Sequence, residues 1–597
     1  MSAALEATIK TRIEQKHSDD SHQLAVIFDP NSRLIVEAPA GYGKTNTMVS
    51  KIAYMIATGQ IPNPKKLLAL TFSVNAAYKI KKDVAQQVPA LLEGTGLHLN
   101  ISDKIQVSNY HGFSRSVLRK YGRILHPTLA LIDTKKPFDD SVATANMTTI
   151  AGLSYDKAKV MEDFAVKVKS GNTITKSEFD KYCDIIIHDV LPSGLVSYNC
   201  IIALTIMLFD TNPEILKFYH KYYNSVLIDE FQDTNYLCYV LCKRLITTDR
   251  KAILLGDSLQ RIYGFIGAVP DLMTMAQTDM GLTKMVLVKN YRFASNPQML
   301  QLDQNIRKNA TAPKNPQIEK DAIVRFEQLP DHSSETIAVI KRALEVVHDD
   351  PETKVAVLVK QRGANVNQLI GNLDYNQIPF FNGLFTDEDQ RYLKFHQESM
   401  KIFIELLKTS QRVTKRFAKQ HMDGIKVIYK DEHDDLFKSL FHLLEIFWEK
   451  FFVDYLQADS QEKIELARDM FENNGLKQYL EFVTAHVIVT TVHAAKGLEW
   501  SHVIIPDMEQ DSFPNYSGGL CAKGQCAHRA DCKLVVTDAN EKSFLEELSV
   551  FYVAITRARK EVYFYASARD ARNFEKPISC FMNLPGIKYG GQQLTAS

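Results

Sequence analysis

The run Leu34-Ile35-Val36-Glu37-Ala38-Pro39-Ala40-Gly41-Tyr42-Gly43-Lys44-Thr45 constrains this chain more than any other. A short apolar stretch has the character of a buried strand, small residues make a tight loop, and the residues that follow start a helix. Such a loop turns backbone N–H groups inward, and the helix N-terminus adds its positive end to the same anion site. Lys44 is placed to reach β- and γ-phosphates, and the Thr45 hydroxyl to hold Mg²⁺. Ala38 stands where the phosphate-loop pattern has its first glycine, and Gly41 and Gly43 complete the loop. The alternative is a strand-to-helix turn without special chemistry, so the rest of the chain must decide.

The chain has 597 residues, too many for one core, so two or more domains are expected. A net charge of +1 gives no global attraction to nucleic acid, so any such binding needs a locally basic groove. Eight cysteines make no disulfide framework at this length, and the N-terminal residues carry scattered charge with no apolar stretch. A reducing cytoplasm is the expected compartment. The most apolar run, 195–209, is broken by Ser197, Asn199 and Thr205 and is too short for a bilayer; it is expected to be a core helix. No membrane association is expected.

Upstream of the loop, Gln23 could fold back onto an adenine edge or simply be a surface residue. Downstream, 67–71 is a buried strand ending at Phe72, with Lys79, Lys81 and Lys82 beyond. Phe72 could stack a base beside those lysines; a core phenylalanine next to a solvated face is the alternative. A third strand at 104–107 leads to Tyr110 and His111. The pattern from 123 to 222 is helical without strand signals. Strand character returns at 225–228 and ends in Asp229-Glu230-Phe231-Gln232-Asp233. Paired carboxylates at a strand end suit an NTPase: Asp229 for Mg²⁺, Glu230 to position and deprotonate water. Gln260, after the strand 252–255, is placed to sense a γ-phosphate. After a strand at 284–288, Tyr291 could stack on adenine and Arg292 could reach a transferring phosphoryl group.

Taken in order, these motifs resemble those of the UvrD/Rep/PcrA-type superfamily 1A DNA helicases. The stretch Val487 through Trp500, with His493, is similar to that family's motif V, and the helix carrying Glu546, Glu547 and Arg557 to its motif VI. The resemblance spans residues 20–567. It implies an α/β chain of two RecA-like P-loop NTPase domains with parallel sheets, each holding a mainly helical insertion. The implied boundaries are 1–110 and 223–283 (domain 1A), 111–222 (insertion 1B), 284–408 and 486–597 (domain 2A), and 409–485 (a reduced insertion 2B). It implies ATP and Mg²⁺ as ligands, with Gln260 coupling the γ-phosphate to motion. Arg292 and Arg557 are implied as arginine fingers, Gln23 and Tyr291 as adenine contacts, and Glu499 as a ribose contact. Phe72, Tyr110, His111, Phe265 and His493 would touch a DNA strand. The implied activity is ATP-driven 3′-to-5′ movement on single-stranded DNA, with unwinding of 3′-tailed duplex.

The sequence departs from that pattern in places. Asn46 replaces a usual arginine, Phe265-Ile266 a usual Trp-Arg pair, and the 409–485 segment is short for 2B. The short insertion raises a rival reading, an ATPase subunit of a partner-dependent nuclease or of a repair or anti-phage defence complex. A rival of another class is an ATP-switched clamp that binds nucleic acid without moving. Cys521, Cys526, His528 and Cys532 have the number and softness for tetrahedral Zn²⁺, although their spacing matches no common finger; free thiols in a surface loop are the default.

Overall fold

The computed structural model describes residues 3–18, 20–71, 74–96, 100–261, 272–385, 389–432, 434–456, 458–472, 474–514, 520 and 534–590. The chain divides into two compact units, Met1–Lys289 and Asn290–Ser597.

In the first unit, strands β1 (Arg33–Glu37), β2 (Lys66–Thr71), β3 (Ile105–Asn109), β6 (Tyr223–Ile228), β7 (Lys251–Gly256) and β8 (Thr283–Val286) form one sheet. Its order is β3-β2-β6-β7-β1-β8, and every pairing is parallel. The central strands read as continuous apolar runs because both faces are covered. Leu34, Val36, Leu67, Ala69, Leu227, Ile253 and Leu255 pack toward a core shared with the helices Lys44–Ala57 and Val74–Leu92. The alternate residues Ile35, Leu68, Leu70, Val226, Ile228 and Leu254 belong to a core that continues into the segment between β3 and β6.

That segment is mostly helical but not free of strands. Short strands β4 (Lys136–Phe138) and β5 (Leu195–Ser197) pair in parallel. The apolar run 195–209 therefore splits into β5 and a buried helix, Tyr198–Thr211. Three-residue strands are too short to show a period of two, and the periodicity of the helices around them hides them.

The strand expected at 284–288 is β8, and it pairs with β1 rather than opening the second domain. The units divide after Lys289, six residues beyond the 283/284 boundary drawn from the motifs. A short strand carries no information about which sheet it joins.

In the second unit, β9 (Ala322–Leu329), β10 (Val355–Val359), β11 (Phe380–Gly383), β12 (Val487–Thr491), β13 (Trp500–Ile505), β14 (Ala558–Ser567) and β15 (Ile587–Tyr589) pair throughout in parallel, in the order β11-β12-β10-β13-β14-β9-β15. Between β11 and β12 lie the helices Gln390–Thr409, Lys415–Ile428, Asp435–Asp454 and Ser460–Glu472. Helix 390–409, assigned to domain 2A from sequence, turns its Phe403 ring onto Phe417 and Phe471 and so packs with the insertion. Within that bundle Trp448 donates to His421 Nδ1 at 3.4 Å, and the other ring nitrogen lies 2.8 Å from the Ser399 carbonyl oxygen.

Candidate functional site

Because all six strands of the first sheet are parallel, the loops after β1, β6 and β7 leave the same edge, where such sheets bind ligands. Strand β7 lies between β1 and β6. Its terminal loop is thereby set between the glycine loop and the acid pair.

After β1 the chain passes buried Ala38 into the turn, and Gly41 and Gly43 take φ of 82° and 78°. These left-handed values cost glycine nothing and would strain a side chain there. Gly43 precedes helix Lys44–Ala57, and Thr45 sits in that helix's first turn. Lys44 Nζ lies 2.5 Å from Glu230 Oε2 and 3.6 Å from Asp229 Oδ1. Burial alone would lower the Lys44 ammonium, but Glu230 and Asp229 overcome it and hold the group above its ordinary value. Burial pushes the Asp229 carboxyl up, against the pull of Lys44. Asp229 and the Thr45 hydroxyl are hard oxygen donors of the kind Mg²⁺ takes, so the residues present fit that ion.

Glu230 follows Asp229 at φ 51°, a left-handed value that costs a non-glycine residue of order 1 kcal/mol and collects at working sites. Gln232 explains how it is held. Its Nε2 donates to Glu230 Oε2 at 2.6 Å, and its Oε1 accepts from the Asp257 backbone N–H at 3.1 Å. Fully buried Asp257 accepts in turn from the Ala40 N–H at 3.0 Å and from Gln260 Nε2 at 2.8 Å. One hydrogen-bonded chain thus joins the glycine loop, the acid pair and Gln260. Gln232 and Asp257 are the residues that sequence reasoning missed; the available signal was that each is a polar group just past a buried apolar strand.

Gly256 permits this chain. A Cβ there would stand 2.8 Å from Gln232 Oε1 and 3.3 Å from the Gln232 backbone nitrogen. Gly256→Ala is expected to destabilise the chain by about 1–3 kcal/mol through forced displacement, measured by denaturant unfolding. An unchanged midpoint would show that Gln232 has room to move.

Gln23 is buried, not a surface residue. Its Nε2 donates to the Tyr42 carbonyl at 3.1 Å, and its Oε1 pairs with His17 Nδ1, whose other nitrogen lies 2.8 Å from Ser50 Oγ. It braces the glycine loop from below.

Among the expected strand contacts, Tyr110 is corrected. Its ring is buried, its hydroxyl lies 3.1 Å from Thr234 Oγ1, and it stands in the core because the helix Tyr110–Tyr121 turns inward at its first residue. His111 is half-buried with its ring edge-on to Tyr198 at 5.4 Å. Burial, with the Arg115 guanidinium nearby, pushes this imidazole down to about 4. It is neutral at physiological pH and brings no charge to a phosphate. Phe72, Phe265 and the Cys521, Cys526, His528 and Cys532 group lie outside the described residues.

In the second unit, the Arg292 guanidinium donates to Glu499 and to the Thr556 carbonyl. Glu499 Oε2 also accepts from Arg559 Nε at 3.1 Å. Burial acts to raise the Glu499 carboxyl, but the Arg292 and Arg557 guanidiniums outweigh it and hold the group below its usual range. Arg557 is buried and donates to the Val553 carbonyl at 3.0 Å, the Leu498 carbonyl at 3.2 Å and Thr556 Oγ1 at 3.1 Å. Here Arg292 and Arg559 clamp Glu499, and Arg557 closes the C-terminal end of the preceding helix, Glu541–Ile555. Tyr291 is 43 % exposed, and His493 is half-buried in the turn after β12.

Two family models match the chain: the UvrD/REP helicase N-terminal domain over residues 19–281 and the UvrD-like helicase C-terminal domain over 385–569. A probable DNA helicase of Mycoplasma pneumoniae is 23% identical over 587 residues, covering 95% of this chain and 87% of that protein. DNA helicase II of Rickettsia typhi is 24% identical, with 92% of each chain covered. The ATP-dependent DNA helicase PcrA of Bacillus subtilis is 28% identical over 311 residues, 49% of this chain and 40% of that one. Among the described residues, no helix is long and apolar enough to cross a membrane.

Proposed function

The chain belongs to the UvrD/REP helicase family, and from this premise we propose that it uses ATP hydrolysis to move 3′ to 5′ along single-stranded DNA and to separate duplex ahead of it. It is an ATP-dependent DNA helicase; the direction, the translocation and the residue roles are our reading. One observation carries that reading: Lys44, Asp229 and Glu230 converge at one sheet edge and are wired to Gln260 through Gln232 and Asp257.

In this reading Gly41, Gly43 and the helix N-terminus receive the phosphates and Lys44 neutralises them. Thr45 and Asp229 would hold Mg²⁺, which supplies charge stabilisation at the phosphate oxygens. Glu230, held by Gln232, accepts a proton from the attacking water. Before ATP arrives Lys44 occupies Glu230. Phosphate draws the ammonium away and frees the carboxylate to act as a base. The Gln232–Asp257–Gln260 chain then carries the state of the γ-phosphate into the loop beyond β7. Arg292 and Arg557 would supply cations to the transferring phosphoryl group, Tyr291 would meet adenine, and Glu499 the ribose. His493, with Phe72 and Phe265, would touch the strand.

The test measures ATP turnover with and without single-stranded DNA, and strand separation on a 3′-tailed duplex in the same reactions. Strong stimulation by DNA together with unwinding is the expected result. Stimulation without unwinding would favour the partner-dependent ATPase and point to the short 2B insertion; a stationary footprint during turnover would favour the clamp. No stimulation by DNA would overturn the reading.

A further inference from the structure

Away from the phosphate loop, two segments of the second unit bring one imidazole and three carboxyls together. His332 and Glu335 lie in the first turn of helix His332–Asp349, and Asp507 and Glu509 lie beyond the end of β13. One ligand-capable atom from each falls within 4.8 Å of all the others. Glu335 Oε2 is 3.2 Å from His332 Nδ1, Asp507 Oδ1 is 4.0 Å from the same nitrogen, and Glu509 Oε1 is 3.9 Å from Nε2. Bonds of about 2.0–2.3 Å to a common ion place ligand atoms roughly 3–4.5 Å apart. The four groups, each offering one atom, lie close to that spacing, so small side-chain rotations would bring them onto one ion.

A second observation is independent of these distances. A cavity of about 20 Å³ opens beside the group, lined by the polar side chains of His332, Glu335, Asp507, Asn365 and Thr336 and by apolar ones such as Val339. That volume admits one body the size of a water molecule. The polar neighbours orient all four groups: Ser567 Oγ lies 2.9 Å from His332 Nδ1 and Asn365 Nδ2 lies 3.3 Å from its Nε2. Asn365 Nδ2 donates to Asp507 at 2.7 Å, the Asp507 N–H to Glu335 at 2.8 Å, and the Ser567 N–H to Glu509 at 3.3 Å. Neutral donors of this kind fix metal ligands. Among the described ion pairs, no lysine or arginine meets any of the three carboxyls. The nearby Lys576 ammonium donates instead to the Gln510 carbonyl at 2.7 Å.

We propose that His332, Glu335, Asp507 and Glu509 bind one divalent first-row metal ion that braces the second sheet. One imidazole with three carboxyl oxygens and no thiolate suits Mn²⁺ or a similar ion better than the soft metals that sulfur selects. The ion ties the start of helix 332–349 to the end of β13 and, through Ser567, to the end of β14. It takes no part in hydrolysis, and the site does not rest on the proposed motor function.

The test titrates the full-length, EDTA-stripped chain with Mn²⁺, without nucleotide, in an Asp229→Asn background that removes the phosphate-site carboxylate assigned to Mg²⁺. Electron spin-echo spectroscopy reads out nitrogen coordination directly. One Mn²⁺ per chain with an imidazole ¹⁴N coupling is expected, with a raised melting temperature. Glu509→Gln and His332→Gln should each weaken binding at least tenfold, and His332→Gln should also remove the coupling. Absence of the ¹⁴N signal from the parent chain overturns the proposal without reliance on any variant that might misfold. Equal affinity in the variants overturns it as well.

Discussion

Replacing Glu230 with Gln is expected to slow ATP hydrolysis at saturating ATP and DNA about a thousandfold, the scale of a lost general base, while the chain still folds and binds nucleotide. The substitution keeps the shape of the side chain. An amide oxygen can still accept from Lys44 and from Gln232, which meet the carboxylate at 2.5 and 2.6 Å. The left-handed backbone at 230 is retained too, so its strain does not change. What is lost is negative charge and the ability to take a proton. Single-turnover hydrolysis isolates the chemical step, and unfolding by denaturant checks the fold. A loss smaller than tenfold with normal folding would mean that another group activates the water.

Lys44→Ala should have the larger effect on binding. Its side chain is only 11 % exposed and is the cation that meets Asp229 and Glu230 at this edge. Removing it deletes the charge that receives phosphate and leaves two neighbouring carboxylates without that partner. Nucleotide affinity is expected to fall at least a hundredfold, about 2.7 kcal/mol, with stability at neutral pH reduced by a further 1–3 kcal/mol or so from the stranded carboxyls. Lys44→Arg should not restore binding, because a planar fork does not replace a compact ammonium in so tight a space. Fluorescent-nucleotide titration and thermal unfolding measure the two parts separately. Nucleotide binding that survives Lys44→Ala would place the phosphates elsewhere.

The residues that could be read in advance are those whose chemistry is local. Gly41, Gly43 and Lys44 are neighbours in sequence, and a glycine needed for positive φ announces itself beside an apolar strand. Asp229 and Glu230 announce themselves in the same way. What stayed hidden depends on distant pairing. Asp257 matters because β7 is inserted between β1 and β6, which no window of sequence reveals. Tyr110 is a strand contact only by family resemblance, and its ring turns into the core. The division after Lys289 was hidden because β8 is short and its register with β1 is a tertiary fact. His332 and Glu509 are far apart in sequence, and neither forms a recognisable spacing alone.

The clasp of His17, Gln23 and Tyr42 has a consequence for how such sequences diverge. The Gln23 amide is nearly enclosed and serves two masters, the imidazole at one end and the loop carbonyl at the other. An aliphatic residue at 17 would strand the amide oxygen in the interior, and an aliphatic residue at 23 would strand the imidazole. Neither change is neutral by itself, whereas a matched pair of changes can be. Positions 17 and 23 are therefore epistatic, and related chains should vary there jointly, by paths that pass through a tolerated intermediate or not at all.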